Sequence, residues 1–136
     1  MHYIKQYPLS ILTTVVVIAL SLLPIGSVEI AQDVPLADKW THMVMYAGLT
    51  AVCCWERRVK GQGAKVKGLG SKIPLLYAIF LGGLMELMQA YCTNYRSGEW
   101  LDFVADSIGA VLGFLIVQLI MQQAHLLFKC SKHQGK

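Results

Sequence analysis

The sequence has few charged residues, and this shortage limits the classes of protein that it can encode. Only 15% of its 136 residues are Asp, Glu, Lys or Arg, whereas 55% are hydrophobic. A soluble domain carries roughly 25% charged residues. The charges also occur in clusters, and the apolar runs between them approach the roughly 20 residues that a transmembrane helix needs. This pattern argues against a soluble globular enzyme and against a disordered protein.

The sequence also lacks the local motifs of many common functions. Its four cysteines form no CxxC pair and no spacing typical of a zinc ribbon or a disulfide framework. It contains no P-loop, no nucleophile elbow and no HxxxH or HExxH metal motif. No internal repeat indicates a transporter within one protomer, and no basic–aromatic pattern indicates nucleic-acid binding. We therefore expect no metal, no cofactor and no nucleic-acid partner.

Four apolar runs predict four transmembrane helices. The sequence is expected to form a single all-α domain, an integral membrane bundle whose helices span about 7–26, 39–56, 73–92 and 102–122. A basic, glycine-rich loop at 57–72 is a flexible connection, and a tail follows at 123–136.

The first run also has the plan of a secretory signal peptide, with a basic start and an apolar middle. The residues that follow the apolar middle are PIGS at 24–27, however, and they match the A-x-A pattern of a cleavage site poorly. We therefore expect this run to be retained as a helix.

The positions of Lys and Arg predict how the helices are oriented. Of the 12 basic residues, only Lys39 and Arg96 fall in the loops on one side of the predicted bundle. All the others lie before the first helix, in the 57–72 loop or near the end of the chain. Because basic loops stay in the cytoplasm, both termini are expected there, and the loops at 28–39 and 93–101 are expected to face outward.

Polar residues lie at matching depths on three of the predicted helices. An ionisable side chain at the bilayer centre costs about 2.5–3.5 kcal/mol on insertion scales, so such residues are rare and informative. The predicted orientation brings three polar faces to the outer half of the membrane, with an arginine in the loop above them. The candidate ligand-binding residues are His42, Tyr46, Glu86, Gln89, Arg96, Asp102 and Asp106. An outward-facing pocket and a purely structural network both fit this pattern.

Gly109 and Gly113 form a GxxxG pattern on the same helical face as Asp106. Such small residues allow two membrane helices to approach closely. The polar face of this helix is therefore also expected to be its packing face. The sequence leaves open a homo-oligomer through the same glycines.

The spacing of these residues resembles the VanZ-like family of small bacterial membrane proteins. The family pattern DK..H...Y..L matches residues 38–49, and its E..Q element matches residues 86–89. Its R.....D...N..G...G element matches residues 96–113, apart from one position. The resemblance covers residues 36–118 and is carried by three helices, so it is more specific than any one of the motifs.

The single departure is Asp106, which stands where the family often has Asn. This residue adds a charge to the predicted cluster, and the charge could pair with His42 or Arg96. The position therefore carries a carboxylate where the family pattern has an amide.

The resemblance implies a multi-pass protein of the bacterial cytoplasmic (inner) membrane that acts in the cell envelope. The family's namesake is associated with resistance to the glycopeptide teicoplanin, whose target is an outward-facing cell-wall precursor. An outward-facing site suits that setting, but the resemblance does not lead us to predict that this chain confers resistance.

Three functions stand as hypotheses, with membrane lipids as the expected partners. In the first, the cluster binds a lipid-linked cell-wall precursor or a glycolipid, and Arg96 meets an anionic head group. In the second, the chain is a small intramembrane enzyme on an envelope lipid, with Glu86 or Asp106 as general base and His42 as its partner. In the third, it is a structural subunit whose cluster only holds the bundle together. Binding is favoured over catalysis.

Overall fold

The computed structural model describes residues 6–22, 37–61, 68–92 and 99–134, and the regular elements within them are helical. The four α-helices are α1 (Pro8–Leu22), α2 (Ala37–Val59), α3 (Ile73–Cys92) and α4 (Trp100–Gln134). A short 3₁₀ turn, Gly68–Lys72, leads directly into α3. The all-α prediction is thus confirmed for the described part of the chain.

Two helices extend beyond the spans that the apolar runs predict. α2 runs from Ala37 to Val59, and α4 continues to Gln134, well past the predicted end near residue 122. After residue 122 the sequence has no proline, and its next glycine is Gly135. The Gln, Ala, Leu and Lys residues of this segment are good helix formers, so the helix continues after the apolar run has ended.

α2 is the central helix, because its contacts with the other three helices are the most extensive, above all those with α4. Two glycines of α4 make that contact close. A Cβ at Gly109 would collide with the backbone carbonyl of Met43, and a Cβ at Gly113 would collide with that of Ala47. The GxxxG face therefore packs on α2 of the same chain, and a homo-oligomer through these glycines would require α2 to move away.

Contacts near the helix ends show that the helices alternate in direction. The start of α1 meets the end of α2 through Ser10 and Glu56, whereas the end of α1 meets the end of α3. α2 and α4 run parallel, since Lys39 pairs with Asp102 near the start of both helices. The basic end of the bundle holds Arg57, Arg58, Lys60 and Lys72, and the acidic end holds Asp38, Glu86, Glu99 and Asp102.

Two helical segments are long and apolar enough to cross a membrane, namely Gly70–Tyr91 and Trp100–Leu126. α1 is a shorter apolar helix, and its 15 described residues extend about 22 Å. α2 is less apolar because it includes polar residues such as His42 and Glu56, which are buried against neighbouring helices. Its composition suits the centre of a bundle.

A side chain of α2 caps the start of α1. The Glu56 carboxylate accepts hydrogen bonds from the backbone N–H of Leu9 at 3.3 Å, the N–H of Ser10 at 2.8 Å and the Ser10 hydroxyl at 2.7 Å. Lys60 adds an ion pair at 3.3 Å. The first N–H groups of a helix have no partner within that helix, and Pro8, which has no N–H, begins this one. Glu56 thus supplies the acceptor that α1 lacks.

Candidate functional site

A buried histidine–carboxylate pair lies at the acidic end of the bundle. His42 Nδ1 and Asp106 Oδ1 are 2.9 Å apart, and the two residues are only 2% and 0% exposed. Because α2 and α4 run parallel, residues at similar distances from their starts face each other. The pair therefore depends on the close contact that Gly109 allows between the two helices.

Glu86 joins this pair from a third helix. One possible ligand atom from each of His42, Glu86 and Asp106 lies within 4.8 Å of the other two. Gly82, one turn before Glu86 on α3, makes this approach possible, because a Cβ there would lie 3.1 Å from both Cβ and Oδ2 of Asp106. We call His42, Glu86 and Asp106 the inner cluster.

The hydrogen bonds to Glu86 are unequal between its two carboxylate oxygens. Oε2 accepts a hydrogen bond from the backbone N–H of Glu99 at 2.8 Å. Oε1 is buried and has no hydrogen-bond partner among the described residues. Leaving a buried polar atom unpaired costs about 1–3 kcal/mol. A proton, an ion or a ligand would therefore be stabilised at this oxygen.

Tyr46 lies one turn further along α2 from His42, on the same face. Its side chain is fully buried, and its hydroxyl has no hydrogen-bond partner in the described part of the chain. A Cβ added at Gly82 would lie 3.4 Å from the Cε1 atom of Tyr46 and 3.1 Å from Oδ2 of Asp106, so the Tyr46 ring and the Asp106 carboxylate both lie against Gly82. Tyr46 thus offers a hydroxyl beside the inner cluster that could donate a hydrogen bond or bind a metal ion.

A second group of charges, the outer layer, lies closer to the helix starts. Lys39 Nζ pairs with a carboxylate oxygen of Asp102 and, at 2.8 Å, with Oε2 of Glu99. Asp102 is buried, so Lys39 supplies the cation that a buried carboxylate needs. Asp38 also approaches, since one ligand atom from each of Asp38, His42 and Asp102 lies within 4.8 Å of the others.

Gln89 contacts α1 rather than the inner cluster. Gln89 is buried, and its Nε2 donates to the backbone carbonyl of Ser21 at 2.9 Å, so this amide ties α3 to α1. Arg96 lies outside the described residues, and its role stays a prediction. The predicted residues that form the inner cluster, Tyr46 beside it and part of the outer layer are His42, Tyr46, Glu86, Asp102 and Asp106.

Sequence reasoning missed Lys39 and Glu99 in the outer layer. The sequence suggests His42 or Arg96 as a partner for Asp106 and none for Asp102, whereas Lys39 is the cation that contacts Asp102. A signal was present, because Lys39 is one of the few basic residues on the side predicted to face outward. A lysine that departs from the general charge distribution, beside acidic residues, indicates an ion pair.

A groove of about 360 Å³ opens between α3 and α4 at the acidic end. Its lining is mostly apolar and aromatic, with two glutamates: Gly83, Glu86, Leu87, Ala90, Tyr91, Glu99, Trp100 and Phe103. The rings of Trp100 and Phe103 pack edge to face, with centroids 6.3 Å apart. Among the described residues, Glu86 belongs both to this groove and to the inner cluster.

The acidic end thus combines three parts: the inner cluster, the outer layer and the groove. Together they offer an imidazole held by a carboxylate, a second carboxylate with a buried oxygen, a phenol and an apolar wall. This set can hold a hydroxyl, an amide or a cation, and it can move a proton. No protein-family model, no curated protein and no solved structure matches the chain.

Proposed function

We propose that the chain is a VanZ-like, multi-pass protein of the bacterial cytoplasmic membrane, in which all four helices cross the bilayer. The distribution of side chains supports this proposal. Phe80, Leu119 and Val44 are among many large apolar residues that are more than half exposed, a surface that soluble monomers rarely present. His42 and Asp106 are buried in the interior, which is where ionisable residues of membrane helices face.

We place the basic end in the cytoplasm and the acidic end outside. The rule that Lys and Arg are retained in cytoplasmic loops supports this orientation, since Arg57, Arg58 and Lys60 lie together at one end. The groove and the inner cluster then open toward the outer leaflet. An envelope lipid that carries its head group outside the cell would meet them there.

The proposed function is the binding of a lipid-linked cell-wall precursor or a glycolipid in the α3–α4 groove. The observation that carries it is the position of Glu86, which lines the groove and reaches the inner cluster. The apolar wall suits a lipid chain, and a carboxylate accepts hydrogen bonds from hydroxyl or amide groups of a head group. Small-molecule sites enclose roughly 300–1,000 Å³, so the groove holds part of a lipid rather than all of it.

The test is lipid retention by the full-length protein. The protein is purified in nanodiscs made with a bacterial lipid extract, and the lipids that remain bound after detergent washing are identified by mass spectrometry. Glu86→Gln should reduce the retained lipid at least tenfold, because the amide keeps the size of the side chain but loses its charge. Its unfolding temperature should stay within about 2 °C of the wild type.

A matched pair of variants tests the groove itself. Leu87→Trp fills the groove and should also reduce retention, whereas Leu84→Trp places the same ring on α3 outside the residues that line it. Equal retention by the wild type, Glu86→Gln and Leu87→Trp would overturn the proposal.

A second candidate function, an intramembrane enzyme, has one specific observation in its favour. The contact between His42 and Asp106 orients the imidazole, as a histidine needs for general acid–base catalysis, and Glu86 lies nearby as a second carboxylate. The same preparation separates the two functions. An enzyme would convert the retained lipid with time, and Glu86→Gln would hold it unconverted, whereas a binding protein would release it unchanged.

A further inference from the structure

We propose that the inner cluster binds one divalent transition-metal cation, such as Zn²⁺ or Mn²⁺, through His42, Glu86 and Asp106. An imidazole together with carboxylates is a ligand set that these ions accept. The three ligands come from α2, α3 and α4. No local motif therefore signals the site, and this is why the sequence alone predicts no metal.

The distances suit coordination by a single ion. His42 Nδ1 and Asp106 Oδ1 are 2.9 Å apart. Two ligand atoms that each lie about 2.0–2.2 Å from an ion are roughly 3.0 Å apart at an octahedral angle of 90° and roughly 3.4 Å apart at a tetrahedral angle, so Zn²⁺ would move the two atoms apart by about 0.5 Å. One oxygen of Glu86 lies within 4.8 Å of ligand atoms of both residues.

An independent observation points to the same place. Tyr46 is fully buried, and its hydroxyl has no hydrogen-bond partner among the described residues. Unpaired buried polar groups are uncommon in folded proteins and call for an explanation. This ring packs against Gly82, beside the Asp106 carboxylate. A metal ion or a water bound to it would supply a partner for the hydroxyl.

The outer layer offers a competing ligand set in Asp38, His42 and Asp102. It suits a metal less well, because Lys39 already contacts Asp102 and Asp38 is exposed. In the inner cluster an imidazole faces two carboxylates, and a divalent cation would balance their negative charge.

A cation at this position would change which head groups the groove accepts. Glu86 and Glu99 make the polar part of the groove acidic, which disfavours a phosphate group. A metal ion bound at Glu86 would attract phosphate instead. This consequence rests on the proposed lipid-binding function, whereas the metal site itself does not.

The test is metal binding by the full-length protein after treatment with a chelator. The protein is titrated with Co²⁺, whose visible absorption reports coordination by nitrogen and oxygen, and Zn²⁺ is then added as a competitor. We expect one Co²⁺ per chain, displaced by one Zn²⁺. Asp106→Asn and His42→Ala should each weaken metal binding by at least about 100-fold. Replacing a residue that only hydrogen-bonds to a metal ligand already lowers metal affinity by about 10–100-fold.

Two controls separate loss of ligands from loss of the fold. His125→Ala removes an exposed histidine elsewhere on α4 and should leave the affinity unchanged. Thermal unfolding of metal-free Asp106→Asn and His42→Ala shows whether each is folded, and Tyr46→Phe should alter the Co²⁺ spectrum while keeping one ion per chain. Absence of stoichiometric Co²⁺ in the wild type, or equal affinity in Asp106→Asn and His125→Ala, would overturn the metal site. Lipid retention by the chelated protein would show that the proposed function stands without it.

Discussion

Two glutamates at opposite ends of the bundle are held in very different ways. Glu56, at the basic end, accepts hydrogen bonds from two backbone N–H groups, a hydroxyl and an ammonium group. Glu86, at the acidic end, accepts one from the Glu99 backbone, and its other oxygen has no partner among the described residues. Groups of the protein supply hydrogen bonds to both oxygens of Glu56, whereas one oxygen of Glu86 can still accept a hydrogen bond from a ligand or bind a cation.

Burial alone does not indicate which of these two carboxylates is open to a ligand. Glu56 is 4% exposed, and Glu86 is only partly buried. Their partners distinguish the two glutamates, because Glu56 binds the start of α1 and Lys60, the residue that follows α2. An incomplete set of hydrogen bonds is therefore a better indicator of a binding site here than a low exposure.

The largest loss of stability is expected from Glu56→Ala. This change leaves the N–H groups of Leu9 and Ser10 without their acceptor, and hydrogen bonds to a charged group are worth about 1.5–3 kcal/mol. The free energy of unfolding in detergent should fall by about 3 kcal/mol. Glu99→Ala, at a more exposed glutamate of the other end, is the control and should cost less than about 1 kcal/mol. Equal losses would contradict the capping role.

An intermediate effect is expected from Ser10→Ala. The variant loses the 2.7 Å hydrogen bond between the Ser10 hydroxyl and Glu56 but keeps both N–H donors, so the expected cost is about 1 kcal/mol. Unfolding of Ser10→Ala, Glu56→Ala and the double variant forms a double-mutant cycle. The double variant should be more stable than additivity predicts, because the hydroxyl has lost its acceptor in Glu56→Ala. Strict additivity would show that the two side chains are not coupled.

The smallest effect on stability is expected from Glu86→Gln. The amide oxygen still accepts from the Glu99 backbone, and the substitution removes a negative charge beside Asp106. The free energy of unfolding should therefore change by less than about 0.5 kcal/mol. A loss of more than about 2 kcal/mol would instead favour the structural-subunit hypothesis, in which the cluster only holds the helices together.

The proximity of His42, Glu86 and Asp106 could be predicted from the sequence. Each residue lies about the same distance from the end of its helix, and alternating helix directions place these ends together. The close packing of α4 against another helix could also be predicted, since Gly109 and Gly113 share a face with Asp106. These features depend only on helix geometry and on the order of the helices.

Other features depend on which neighbour a side chain meets, and sequence patterns do not supply that information. Glu56 follows an apolar run and precedes two arginines, and nothing local shows that its partners are backbone groups of α1. Gln89 lies three residues after Glu86, which turns it by about 60° around the helix. This rotation is enough for its amide to contact α1.

The parallel contact between α2 and α4 has a consequence for biogenesis in the proposed membrane setting. α2 is made before α4, yet α4 covers the face that carries His42. When α2 leaves the ribosome, this polar face has no neighbour to shield it from lipid. α2 must therefore be held by the insertion machinery, or remain at the membrane surface, until α3 and α4 have been synthesised. The fourth helix is thus the one that allows the second to become stable within the bilayer.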